Sequence, residues 1–124
     1  MSKPRILIAD DVEDIRDLIS IFLEDLDVEI IGEAIDGNVA LELIDSLQPD
    51  IVFLDIQMPE ITGLEILDII KEKTIFSVIV SGDGDFNTIK TALDKGAQGF
   101  IVKPIAEEKV VQIIEKYNAS KNIK

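Results

Sequence analysis

Residues 50–59 read Asp50-Ile51-Val52-Phe53-Leu54-Asp55-Ile56-Gln57-Met58-Pro59. Four consecutive apolar residues specify a strand covered on both faces, as in a parallel sheet; a strand with one wet face would alternate. The run stops at a carboxylate and then at a turn broken by proline. A short buried strand that delivers Asp55 to its carboxyl end is therefore the first element to be placed.

Working outward, the same pattern recurs. Strands are expected at Arg5–Ala9, Val28–Ala34, Ile51–Leu54, Ser77–Ser81 and Gly99–Lys103. Glu29 and Glu33 interrupt the second, which suits a sheet edge. Between the strands apolar residues fall at helical spacing: Ile15, Leu18, Ile19, Phe22, Leu23 and Leu26; Ala40, Leu43, Ile44 and Leu47; Leu64, Leu67 and Ile70; Ile89, Ala92 and Leu93; Val110, Val111, Ile114 and Tyr117. Thr62-Gly63-Leu64-Glu65 reads as a capping box opening the third helix. Gly96, after Asp94-Lys95, reads as the stop of the fourth. Five βα units in a row give an α/β fold: a doubly wound five-stranded parallel sheet of flavodoxin-like order 2-1-3-4-5, with right-handed crossovers.

The whole chain narrows the chemistry. Its 124 residues suffice for one domain that needs no disulfide or structural metal. Histidine and cysteine are absent, which removes His-based acid–base work, Ser–His and Cys nucleophiles, and His or Cys metal ligands. No run is long enough for a signal-peptide core or a bilayer span, so a cytoplasmic protein without membrane insertion is expected. The net charge of −13 is lopsided: residues 1–60 carry 16 acids and three bases, and residues 61–124 nine of each. That balance argues against direct nucleic-acid binding, which needs clustered Lys and Arg.

In a doubly wound sheet ligands sit at the carboxyl ends of the strands, near the point where strand order reverses. Asp10-Asp11 end the first strand, Asp55 the third, Ser81 the fourth, and Lys103-Pro104 the fifth. The first and third strands are neighbours in the expected order, so three carboxylates share one small space. Two charges ~4 Å apart repel by roughly 4 kcal/mol at an effective dielectric near 20. Three stay ionised only if a cation joins them. An all-oxygen donor set points to Mg²⁺, which prefers to share its ligands with phosphate. The structural alternative is that Asp10 and Asp11 merely cap the first helix, a role Asp11 in particular can fill. Lys103 adds an ammonium and Ser81 a hydroxyl, both suited to phosphoryl oxygens. Asp55 is the candidate nucleophile, since carboxylates accept phosphoryl groups as acyl phosphates.

These residues carry a resemblance to a known family. Ile6-Leu7-Ile8-Ala9-Asp10-Asp11, Asp50–Pro59, Gly63, Val78-Ile79-Val80-Ser81-Gly82 and Gly99-Phe100-Ile101-Val102-Lys103-Pro104 resemble the CheY-like receiver domains of response regulators over essentially the whole chain. The resemblance implies that a sensor histidine kinase or phosphotransfer protein phosphorylates Asp55. It implies Mg²⁺ held by Asp10, Asp11, Asp55 and the Gln57 backbone carbonyl, with Lys103 paired to the phosphoryl group and a cis Lys103–Pro104 bond. Ser81 and Phe100 take the switch positions, and Gln57 and Asp83 the two variable positions that tune the lifetime of the acyl phosphate. A downstream protein would read the fourth helix, fifth strand and fifth helix, where Lys90, Lys95, Lys109 and Lys116 are available. The first helix, with Glu13, Asp14, Asp17, Glu24 and Asp25, would face a basic docking partner.

The sequence departs from the family at two places. Thr62 replaces an Asp common before Gly63, and Thr74-Ile75-Phe76-Ser77 lacks a common proline and leaves Phe76 as an exposed contact. The chain closes with Asn118–Lys124 beyond the fifth helix, so no output domain is expected and the signal passes to another protein, by binding or by onward relay. A receiver fold that signals without phosphorylation is the remaining alternative. A dehalogenase-type phosphohydrolase would need a second Asp at position 57, where Gln57 stands, and a flavin-binding domain a Ser/Thr/Gly-rich loop in place of residues 10–14.

Overall fold

The computed structural model describes residues 3–122. Ten elements alternate: β1 (Arg5–Ala9), α1 (Glu13–Leu23), β2 (Glu29–Ala34), α2 (Gly37–Leu47), β3 (Ile51–Asp55), α3 (Gly63–Ile70), β4 (Phe76–Ser81), α4 (Phe86–Asp94), β5 (Gly99–Val102) and α5 (Glu107–Asn122). The strands form one parallel sheet in the order β2-β1-β3-β4-β5. β2, the strand interrupted by glutamates, is an edge.

The period-two alternation of the strands sorts their side chains onto two faces. Ile6, Ile8, Ile51, Phe53, Val78, Val80 and Ile101 pack with Ile19 and Leu23 of α1 and Val110, Ile113, Ile114 and Tyr117 of α5. Leu7, Ala9, Val52, Leu54 and Ile79 pack with Ala40 and Ile44 of α2, Ile66, Leu67 and Ile70 of α3, and Ala92 of α4. β3 is buried at every position, Asp55 included. Burial on both faces explains why its sequence is apolar without a break.

Local signals place the helix ends. Thr62 Oγ1 accepts from the Glu65 amide while the Glu65 carboxylate accepts from the Thr62 amide, a complete capping box. Asp36 and Asp85 cap α2 and α4 through their carboxylates. At the end of α4, Gly96 has φ 103°, its amide donates to Leu93 O, and the Ala97 amide to Ala92 O. These bonds form the Schellman closure that an αL glycine permits.

Four expectations need correction. Phe76 is not an exposed contact: its amide donates to Asp50 O, which starts β4 one residue early. Its ring then lies on the same face as Val78 and Val80, only 6% exposed and edge-on to Tyr117 with centroids 5.5 Å apart. Asp11 does not cap α1, whose N-cap is Val12 with no side-chain bond. α5 continues to Asn122 where a tail from Asn118 was expected, because residues 118–122 contain no helix breaker. Val28 and Lys103 fall just outside their strands.

Gly63 lets α3 start against the site strand. A Cβ there would stand 2.4 Å from Asp55 O, a backbone atom that cannot yield. Gly63→Ala is expected to cost about 1–3 kcal/mol, read as a lower urea midpoint. Gly82→Ala, where a Cβ meets nothing within 4 Å, should stay within about 0.5 kcal/mol of the parent. Equal midpoints for both variants would contradict the packing argument.

Candidate functional site

The site is assembled by strand register. Ala9 of β1 pairs with Leu54 of β3, so Asp10 and Asp55 leave the sheet side by side. Asp55 pairs with Val80 and Ser81 with Val102, which brings Ser81 and Lys103 to the same edge. The Lys103 amide donates to Ser81 O at 2.7 Å, and the following Lys103–Pro104 bond is cis, as the resemblance implied.

Carboxylate oxygens of Asp10, Asp11 and Asp55 lie within 4.8 Å of one another. Asp10 and Asp55 are buried, while Asp11 faces solvent. Lys103 Nζ is 3.4 Å from Asp10 Oδ2 and 3.5 Å from Asp55 Oδ1. One ammonium thus faces three acids. Asp10 Oδ1 accepts from the Val12 amide, but Asp10 Oδ2 is buried with no hydrogen-bond partner beyond that charge contact. The Gln57 amide donates to Asp55 Oδ1 at 3.3 Å.

Burial, then the charge of Asp10, push the Asp55 carboxyl up to about 6; Lys103 and the Gln57 amide pull it down, and Asp11 adds to the rise. The ionised cluster is short of positive charge. Such a group of acids can bind a metal cation.

The other expected residues take distinct places. Ser81 is buried, and its Oγ accepts from the Asp83 amide at 3.0 Å. The Gln57 side chain is exposed. Phe100 is half-buried against the core on the α2, α3 and α4 face. The Asp83 carboxylate is engaged by the Asp85 amide of its own loop and by the Thr88 hydroxyl in the first turn of α4.

The lysines expected to be open to partners are mostly engaged. Lys90 pairs with Asp94 at 2.9 Å, Lys95 with Asp68 at 2.7 Å, and Lys116 Nζ donates to Gln98 O. Helical spacing explains the first pair, and the other two cross between elements. Among the described residues the Lys109 ammonium makes no ion pair. Exposed apolar groups on this side are Phe86, Leu93 and Val102.

Sequence reasoning passed over Arg16. Its guanidinium donates to Asp10 O at 2.8 Å and to Glu33 at 2.9 Å, and its side chain is only 12% exposed. It ties the acidic turn to α1 and to the edge strand. The signal available was the one base between Arg5 and Lys71, five residues past Asp11 on the first helix.

A cavity of about 340 Å³ lies elsewhere, at the opposite end of the sheet, lined by Lys71, Lys73, Lys95, Lys121 and Asp50 among others. Lys71, Lys95 and Lys121 stand at the C-terminal ends of α3, α4 and α5. There they offset the negative ends of three helices, which accounts for the basic lining.

Residues 6–115 match the family model of the response regulator receiver domain. The chain is 39% identical over 114 residues to the chemotaxis protein CheY of Listeria monocytogenes, covering 90% of this chain and 96% of that one. It is 37% identical to the CheY of Thermotoga maritima, with 90% and 95% covered. The solved receiver domain of the putative response regulator NarL from Mycobacterium tuberculosis superposes with a TM-score of 0.88 at 28% identity, over 99% of this chain and all of that one.

Because the folded Asp55 carboxyl titrates above its unfolded value of 3.8, the metal-free fold binds the extra proton between roughly pH 4 and 6. Stability then falls as pH rises through that window. In a chelator, Asp55→Asn should match the parent near pH 3.5 and exceed it by on the order of 1–3 kcal/mol at pH 7.5, measured by urea unfolding. A parent and variant equally stable at both pH values would remove the repulsion inferred here.

Proposed function

We propose that this chain, which belongs to the response regulator receiver domain family, carries a signal as a phosphoryl group on Asp55. The donor is a histidine kinase or phosphotransfer protein. The observation that carries the reading is the meeting of Asp10, Asp11 and Asp55 within 4.8 Å, with Lys103 as the single ammonium against them among the described residues.

The donor set fits Mg²⁺: it is all oxygen, and the buried Asp10 Oδ2 lacks a hydrogen-bond partner. Asp10, Asp11 and Asp55 would hold the ion, with the Gln57 carbonyl as a further oxygen. When bound it supplies positive charge shared between carboxylates and phosphoryl oxygens.

In the transfer step an Asp55 carboxylate oxygen attacks the donor's phosphorus. The new O–P bond forms as the P–N bond to the donor imidazole breaks; the imidazole leaves with the bonding pair and takes a proton from solvent. Lys103, already between Asp10 and Asp55, turns its ammonium to a phosphoryl oxygen, and the Ser81 hydroxyl donates to another. Phe100 repacks as Ser81 moves. Attack of water on phosphorus releases inorganic phosphate and restores the carboxylate. Gln57 stands outside and offers no second acid for rapid ester hydrolysis, so the protein acts on its own acyl phosphate and not on outside substrates.

α4, β5 and α5 form the surface that a downstream protein reads. The match to the Listeria chemotaxis protein CheY covers 96% of that relative's length, which supports reading this domain as CheY-like in its signalling role.

Incubation with acetyl phosphate tests this reading by intact mass. A gain of one phosphoryl group should require Mg²⁺, vanish with chelator and vanish in Asp55→Asn. Lys103→Met should label at least about tenfold more slowly, the loss of roughly 1.4 kcal/mol of transition-state stabilisation. Equal labelling of Asp55→Asn would sink the assignment.

A further inference from the structure

The loop between β4 and α4 is closed by side-chain bonds that run in series from the site to the helix. Ser81 Oγ, buried at the strand end, accepts from the Asp83 amide at 3.0 Å. Asp83 Oδ1 accepts from the Asp85 amide at 3.0 Å, and Asp83 Oδ2 from the Thr88 hydroxyl at 3.3 Å. Asp85 Oδ1 accepts from the Thr88 amide at 2.8 Å. Each bond spans two to five residues, so little slack remains between Ser81 and the first turn of α4.

The helix at the far end is loosely seated. Ala92 is the one buried residue of α4, whereas α3 buries Gly63, Ile66, Leu67 and Ile70. Phe86, its first residue, is 75% exposed. Elements with few buried apolar contacts are the ones that shift at low cost. The two glycines of the loop add no resistance to this: a Cβ at Gly82 would meet nothing, and at Gly84 only the side chain of Val102.

We propose that Asp83 is a positioning residue whose carboxylate, through Thr88, clasps the Ser81 loop to α4, so that movement of Ser81 toward a phosphoryl group carries the helix with it. The proposal rests on the reading of Asp55 as phosphoacceptor. It differs from the role the family resemblance suggested for Asp83, that of tuning the acyl phosphate. One carboxylate oxygen of Asp83 accepts from the amide of Asp85, the residue that caps α4, and the other from the Thr88 hydroxyl within α4, so the group acts on the helix and not on the reacting atoms. The surface moved would include Phe86 on α4 and Val102 on β5, two exposed apolar groups.

The test is amide hydrogen exchange over residues 82–94 with acetyl phosphate and Mg²⁺, alongside the extent and decay of labelling. Thr88→Val removes the hydroxyl and keeps the amide bonded to Asp85, while Thr88→Ser restores the hydroxyl. In the parent and in Thr88→Ser, labelling should change exchange in α4 by about threefold or more. Thr88→Val should label and decay at the parental rate yet lose most of that response. If it fails to fold, Thr88→Ala, which also removes the hydroxyl and keeps the amide bonded to Asp85, takes its place. An α4 response in Thr88→Val equal to the parent's overturns the clasp, as does an altered decay rate with the response intact. A parent that labels without any α4 response also overturns it, leaving the phosphoacceptor reading standing. A parent that does not label overturns both.

Discussion

Everything at the carboxyl edge of this sheet follows from holding Asp10 and Asp55 side by side at the ends of two buried strands, with Asp11 next to them. The repulsion cannot relax by moving the strands apart, because β1 and β3 are hydrogen-bonded in register and covered on both faces. The acids must therefore be met by charge brought to them. Lys103 supplies one unit and touches two of the three. Arg16 contributes at one remove, through the Asp10 carbonyl. The deficit that remains would draw a cation here, and under the proposed function that cation would in turn meet the phosphoryl group.

The same fold has a stiff part and a loose part. β3 buries every residue, and its end is fixed further by the α3 capping box and by the close approach of Gly63 to Asp55. α4 rests on little apolar contact and is tied to the site by polar bonds through Asp83 and Thr88. A rigid seat beside a light helix suits the proposed function, in which chemistry at the seat changes a surface. The lysines around that helix begin in ion pairs or hydrogen bonds. A partner would compete with those bonds, and exposed pairs of this kind are weak, worth about 0–1 kcal/mol.

The features legible in the sequence were those set by local rules. An unbroken apolar run meant a doubly covered strand, as at Ile51–Leu54, and the glutamates of β2 marked an edge. Thr62-Gly63-Leu64-Glu65 and Gly96 marked helix ends because capping needs those residue types at those spacings. The meeting of Asp10, Asp11, Asp55 and Lys103 followed once strand order was known. What stayed hidden depends on partners distant in sequence. Phe76 is buried because Tyr117 of α5 lies against it. Arg16 matters because the Asp10 carbonyl and Glu33 converge on it. Lys95 and Lys116 are engaged by Asp68 and Gln98, 27 and 18 residues away. Asp83 turned toward α4 because Thr88 and the Asp85 amide were within reach, a choice among local partners that residue type alone does not decide.

The account depends most on the shortage of positive charge around Asp55. Carbon-13 NMR titration of the Asp55 carboxyl, with chelator and then with saturating Mg²⁺, measures that shortage directly. The metal-free protein should titrate near 6. Bound cation should move the midpoint below the ordinary Asp value of about 3.9, because it favours the charged form. A carboxyl that titrates near its ordinary value without metal, or one that Mg²⁺ leaves unmoved, would contradict it.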